Sequence, residues 1–205
     1  MWVVKLGGSL FTSDHLKKWL TLLAEAQSLV IVPGGGPFAD QVRQAQQQFK
    51  FDESTAHRMA LLAMEQFGRM LCGLQTGLSA ATNPLQIQEA LKRGDTPVWM
   101  PTVMTMADSR VEQSWDVTSD SLAAWLCSRI GAQNLVLVKS LSLNYQSLSL
   151  DELTTRGIVD NQFGNYLRSA GIQAMVMADS EHGQFSELYG GEMTAATRIV
   201  IDSED

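Results

Sequence analysis

The sequence predicts an α/β fold, a three-layer αβα sandwich around a mainly parallel central sheet. Three observations carry the prediction. The chain opens with two short apolar runs, Trp2–Leu6 and Leu29–Val32, each closed by glycines and followed by helical spacing. Alternation of this kind means βαβ units, whose crossovers make strands parallel. With 205 residues, 45% of them hydrophobic and 18% charged, the chain can build one sizeable core but not two comfortable domains. Residues 1–205 are therefore expected to form a single domain.

The elements follow in order. Trp2–Leu6 is a strand ended by Gly7 and Gly8. Asp14–Ala26 carries Leu16, Trp19, Leu20 and Leu23 on one helical face, with Ser13 or Asp14 as its cap. Leu29–Val32 is a buried strand, and Phe38–Phe49 the helix after it. Asp52–Leu78 reads as one long helix with a wide apolar stripe through Ala60, Ala63, Phe67, Met70 and Leu74. A stripe that wide is more than a solvent-facing helix needs; it reads either as core packing or as one side that also meets a second copy of the chain. Pro84–Arg93 is a shorter helix, and Val98–Met104 holds one or two strands around Pro101. Ser119–Ile130 is a helix, Leu135–Val138 a strand and Gln162–Ala170 a helix. Ala174–Met177 and Arg198–Ile201 are strands, and Leu141–Asp160 is the least regular stretch.

A formal net charge of −7 gives no broad attraction for nucleic acid or an anionic membrane. Any phosphate must be held locally by glycines, helix ends and a few cations. No run has the length of a membrane span or the pattern of a signal peptide. The two cysteines, Cys72 and Cys127, lie in apolar helical stretches, as reduced thiols of a cytoplasmic protein would.

Three motifs carry chemistry. In Lys5-Leu6-Gly7-Gly8-Ser9 a strand delivers a lysine, and glycines then let backbone N–H groups approach an anion. Gly34-Gly35-Gly36 joins a buried strand to a helix whose N-terminus favours an anion, and Arg43 on that helix can clamp one. Thr118-Ser119-Asp120 opens the Ser119–Ile130 helix, with Asp120 in its first turn. A P-loop and a dinucleotide fingerprint are both missing.

In this order and spacing the three motifs resemble the amino-acid-kinase family, which opens with Lys-x-Gly-Gly-Ser and continues with a Gly-Gly-Gly turn and a Thr-x-Asp or Thr-Ser-Asp helix start. Pro33–Asp40, Ala56–Met64 and Thr118–Leu126 are most similar to one branch, the (aminomethyl)furanmethyl phosphate kinases of methanofuran biosynthesis. The similarity is good over residues 1–70 and 113–139. It implies the amino-acid-kinase (carbamate-kinase-like) fold, a homodimer, ATP with Mg²⁺ held mainly by the nucleotide, and a phosphomonoester acceptor converted to a diphosphate. It also implies roles by position. Lys5, Asp120 and Lys139 form the catalytic set, with Asp120 organising the lysines. Gly7, Gly8, Ser9, Ser140 and Tyr145 hold the nucleotide. Gly34, Gly35, Gly36, Arg43, His57 and Thr118 hold the acceptor. No residue is assigned to a metal.

One segment departs from the family. Relatives carry Lys-Asp-Val-Asp-Gly-Val-Tyr after the strand that matches Leu135–Val138, where this chain has Lys139-Ser140-Leu141-Ser142-Leu143-Asn144-Tyr145. No lysine follows Lys139, Arg198 reads as a closing-strand residue, and Gly190-Gly191 stands where relatives carry a later glycine-rich stretch. The alternatives are a uridylate or other small-acid kinase, and a catalytically impaired binding or partner protein of the same fold.

Overall fold

The computed structural model describes residues 1–141 and 145–201. The strands are β1 (Trp2–Leu6), β2 (Leu29–Pro33), β3 (Leu78–Ala81), β4 (Thr96–Trp99), β5 (Asn134–Lys139), β6 (Ser147–Ser149), β7 (Gln173–Ala178) and β8 (Thr197–Val200). The helices are α1 (Leu16–Glu25), α2 (Gly36–Phe49), α3 (Glu53–Leu74), α4 (Pro84–Arg93), α5 (Thr102–Met106), α6 (Ser119–Ile130), α7 (Leu150–Thr155), α8 (Phe163–Ala170) and α9 (Phe185–Tyr189). One sheet runs β3-β4-β2-β1-β5-β7-β8-β6, parallel except where β8 pairs antiparallel with β7.

The site follows from this strand order. From β1 the chain first moves outward to β2, β3 and β4, then returns to place β5 on the other side of β1. The carboxyl ends of β2, β1 and β5 therefore meet at a switch point, where an open α/β sheet leaves its crevice. Register pairs Lys5 with Val32 on one side and with Leu137 on the other.

The strands are buried on both faces, as a parallel sheet requires. Val3, Val30, Leu135, Leu137 and Val176 pack on one face with Leu122 and Leu126 of α6 and with Phe163 and Leu167 of α8. Val4, Leu6, Ile31, Val136 and Met175 pack on the other with Trp19, Leu20 and Leu23 of α1 and Phe185 of α9. Helix α3 serves both cores, with Leu61 and Met64 in the first and Phe67 and Leu71 in the second. Strand side chains alternate between faces. Lys5 shares its face with Val3, and Lys139 shares its face with Leu135 and Leu137. Both lysines thus project on the side of α6.

Several expected boundaries move. The helix expected over Asp52–Leu78 ends at Leu74, and Leu78 opens β3. Gly77 adopts φ +86° between them, a conformation that breaks a helix, while the apolar spacing happens to run on. Val98–Met104 is not strand throughout, because the chain turns after Pro101 into α5, whose Thr102 N–H donates to Glu65 at 3.0 Å. Helix α2 begins inside the glycine triplet, with Pro37 in its first turn. Helix α1 starts at Leu16 rather than Asp14, since Ser13 donates to Asp179 (2.6 Å) and accepts only from His15 N–H. The stretch called least regular holds β6 and α7, the latter opened by a Ser149–Glu152 capping box. Among the described residues no helix is long and apolar enough to cross a membrane.

Candidate active site

Lys5, Asp120 and Lys139 converge at the switch point. Lys5 Nζ lies 2.8 Å from one Asp120 oxygen, and Lys139 Nζ lies 2.5 Å from the other. The side chains are 4%, 5% and 15% exposed for Lys5, Asp120 and Lys139. Burial raises the Asp120 carboxyl, but the two lysines outweigh it and hold the group below its usual range. Burial lowers the Lys5 ammonium to about 8, opposed by Asp120 and reinforced by Lys139. One carboxylate between two ammonium groups leaves the centre formally positive. It is built to receive an anion.

Asp120 is fixed by the start of α6. Thr118 caps the helix by accepting from Asp120 N–H at 3.3 Å. Thr118 also donates to Asp160 through its N–H (3.0 Å) and its hydroxyl (2.6 Å). Ser121 donates to the same carboxylate through its N–H (3.2 Å) and its hydroxyl. Asp160 thus satisfies donors that the first turn of a helix otherwise leaves unpaired, with the charge the helix dipole favours there. Thr118 lines the cleft expected to take the acceptor, yet its hydroxyl is already committed to this cap.

The two glycine turns meet back to back. A Cβ on Gly8 would sit 2.4 Å from Gly36 N, and a Cβ on Gly34 would sit 2.4 Å from Gly8 N. Close packing between loops is one reason for these glycines, and the φ of +54° at Gly36 is another. The expected phosphate cradle is narrower than residues 7–9 and 34–36. Gly7 N–H donates to Val138 O (2.9 Å) and Gly34 N–H to Leu6 O (2.8 Å), so both extend the sheet. Gly8, Ser9, Gly35 and Gly36 line the cleft, where first-turn N–H groups lack intrahelical partners.

The cleft above the centre has a volume of about 540 Å³. Arg43 and His57 line it, as expected. Arg43 lies with its guanidinium 3.9 Å from the centroid of the Trp115 ring, and Trp115 is itself anchored by donating to Gln46 (2.7 Å). His57 is buried, and burial pushes it below its ordinary value, although Ser114 and Glu112 oppose the shift. The free site therefore holds a neutral imidazole rather than the standing cation that an anion site first suggests. Its Nδ1 lies 3.3 Å from Ser114 O, which can only accept, so Nε2 is left as a buried acceptor without a partner among the described residues. Ala60, Leu61, Met64, Val117 and Leu122 complete an apolar wall.

A second cleft of about 500 Å³ opens on the other side of the centre and shares Ser9 and Lys139 with the first. Ser140 and Tyr145 line it, where the nucleotide side is expected. Residues 142–144, the middle of the divergent turn, lie outside the described residues. Arg156 also lines this cleft, whereas Arg198 sits in β8 and Gly190-Gly191 follows α9, away from both clefts. Sequence reasoning passed over Arg156, Asp160 and Trp115. The Ser149-x-x-Glu152 signature would have located α7 and hence Arg156 just beyond it. Nothing local marks Asp160 as the cap of a helix 40 residues earlier.

Comparison with known proteins agrees with this geometry. The sequence model described as the Amino acid kinase family matches residues 1–142. The [5-(aminomethyl)furan-3-yl]methyl phosphate kinase of Methanocaldococcus jannaschii is 23% identical, over 98% of this chain and 98% of that protein. Among solved structures, uridylate kinase from Archaeoglobus fulgidus superposes with a TM-score of 0.74 at 17% identity, covering 97% of this chain and 99% of that one. UMP kinase from Bacillus anthracis gives 0.71 at 15% identity, covering 100% and 96%. An isopentenyl phosphate kinase in complex with substrate gives 0.66 at 13%, covering 98% and 100%. The family match and the kinase relative make the chain a phosphotransferase. The chain belongs to the amino acid kinase family.

Proposed function

We propose that the chain transfers the γ-phosphoryl group of ATP to a small phosphomonoester, giving a diphosphate, with (aminomethyl)furanmethyl phosphate as the acceptor. The observation that carries this reading is the Lys5–Asp120–Lys139 centre set between two clefts that share Lys139. The name of the Methanocaldococcus jannaschii relative, aligned over nearly the whole of both chains, supports the choice of acceptor.

Asp120 is unsuited to act as a base. Both its oxygens face lysines, and its carboxyl is held below the usual range. The acceptor must therefore bring an oxygen that is already ionised, and a phosphate does so near neutral pH. That oxygen attacks the γ-phosphorus, the bond to the β,γ-bridging oxygen breaks, and ADP leaves with the electron pair. No proton needs to move. Lys5 and Lys139 offset the charge spreading over the transferred group, and the N–H groups at Gly8, Ser9, Gly35 and Gly36 orient it. His57, neutral in the free site, gains a proton when a dianion enters beside it. The apolar wall suits a small ring, and Arg43, seated on Trp115, faces the acceptor phosphate.

Among the described residues no group of three or more His, Cys, Asp or Glu side chains could hold a metal ion. Asp120, the carboxylate nearest the transfer, already faces two lysines. Magnesium is therefore read as held mainly by the nucleotide phosphates.

Purified protein should convert ATP to ADP only when the acceptor is present, with UMP and isopentenyl phosphate as competing candidates. Turnover with UMP alone would overturn the acceptor, and no turnover with any phosphomonoester at high enzyme concentration would overturn the reading. The same reading includes a homodimer through α3, which exposes Met59 and Leu62 on the face turned away from the cores. Light scattering should give twice the mass of one chain, and a monomer at micromolar concentration rejects the dimer.

A further inference from the structure

The donor side poses an electrostatic problem. A nucleoside triphosphate brings several negative charges, and the leaving diphosphate gains more as the bond breaks. Of the cations at the centre, Lys139 is already held 2.5 Å from Asp120. Lys5 is buried on the far side of the same carboxylate. The chain contains no lysine after Lys139.

Arg156 stands at the place where a further cation is needed. It is C-terminal to α7 and lines the second cleft with Ser9, Lys139, Ser140 and Tyr145. Its guanidinium lies over the Tyr145 ring, 5.1 Å from the centroid. Its acidic neighbour, Glu152, is 3.7 Å away, and the two side chains are 42% and 49% exposed. An exposed pair at that distance holds the guanidinium only weakly. The Tyr145 side chain, which also accepts from the guanidinium, limits its directions, and the remaining N–H donors can meet a ligand. A planar fork of donors matches two phosphate oxygens better than an ammonium group does.

We propose that Arg156 binds the β- and γ-phosphate oxygens of the phosphoryl donor, with Tyr145 holding the guanidinium in place. This deepens the reading of the second cleft as the donor side and rests on it. Arg156 then stabilises the departing diphosphate from the side opposite Lys5.

Calorimetry with magnesium-ATP, magnesium-ADP and AMP on the wild type, Arg156→Ala, Arg156→Lys and Glu152→Gln tests it. Arg156→Ala should weaken ATP and ADP at least about tenfold, the worth of a charge-assisted contact, and leave AMP and the acceptor KM unchanged. Arg156→Lys should recover part of the loss. Glu152→Gln, which keeps the capping oxygen but breaks the ion pair, should stay within about twofold of wild type. Equal ATP affinity in Arg156→Ala and wild type overturns the proposal. So does a loss that extends equally to AMP, or a wild type that binds no nucleotide. If Arg156→Ala does not fold, Arg156→Lys decides alone: ATP affinity equal to wild type together with unchanged turnover overturns the fork. If ATP binding depends on Arg156 while no acceptor is turned over, the proposed acceptor falls and the role of Arg156 stands.

Discussion

The two clefts differ in how they hold their cations. In the first cleft Arg43 rests on an indole that is itself hydrogen-bonded, His57 is buried, and the wall is apolar. In the second Arg156 rests on Tyr145, with one carboxylate, 3.7 Å away, as its ion-pair partner among the described residues. The first is organised before any ligand arrives, and the second has room to adjust. Organisation in advance suits discrimination between small acceptors, because it lowers the cost of ordering the site on binding. A nucleotide brings many polar groups of its own and tolerates a looser site.

Four measurements can break or sharpen this contrast. The largest effect belongs to the centre that both clefts share. Asp120→Asn leaves the buried Lys5 and the half-buried Lys139 without a counter-charge and should lower kcat by about a thousandfold or more. It should also cost roughly 3–5 kcal/mol of stability. Retained kcat with lost stability would make Asp120 purely structural.

The next effect is on pH dependence. Lys5 ionises at about 8 in the free protein. kcat/KM reports the free enzyme and should fall above that pH by up to roughly tenfold per unit. Bound phosphates raise the pKa of Lys5, so kcat should hold to a higher pH. Flat kcat/KM to pH 9.5 would refute a depressed Lys5. The stability change has the opposite sign. Between about 8 and the ordinary lysine value of 10.5 the unfolded chain binds more protons at this position, so its contribution to stability rises with pH.

A smaller effect is confined to the acceptor side. Trp115→Ala removes the seat of Arg43 and should raise acceptor KM roughly five- to tenfold, in line with the loss of a partly exposed cation–π contact and its packing, while ATP KM stays put. Equal changes in both constants would erase the distinction between the clefts. The smallest effect is at the cap. Asp160→Ala should cost about 1–2 kcal/mol in denaturant unfolding, with a modest fall in kcat as Asp120 loosens. No stability change would remove Asp160 from the support of the site.

Much of this site was legible in local sequence because its parts sit at element ends. Lys5 and Lys139 each close an apolar strand, and Asp120 opens a helix after a capping threonine. Alternation along the strands and the dipole at the helix start constrain those side chains before any tertiary contact forms. Position along the chain could not reveal what Gly7 and Gly34 do. They were read as cradling phosphate, but the sheet takes their N–H groups because neighbouring strands extend past the lysine.

The amino-acid sequence by itself determined the βαβ order, the strand ends that present Lys5 and Lys139, the helix start that presents Asp120, and membership of a kinase family. Each depends on periodicity or on residues within a few positions of one another. Only the tertiary structure decided that Asp160 caps α6, that Trp115 seats Arg43, that Gly8 packs against Gly36, and that Arg156 lines the second cleft. Those contacts join segments far apart in the chain. No local propensity encodes them, because their partners are chosen by how the sheet and its helices pack.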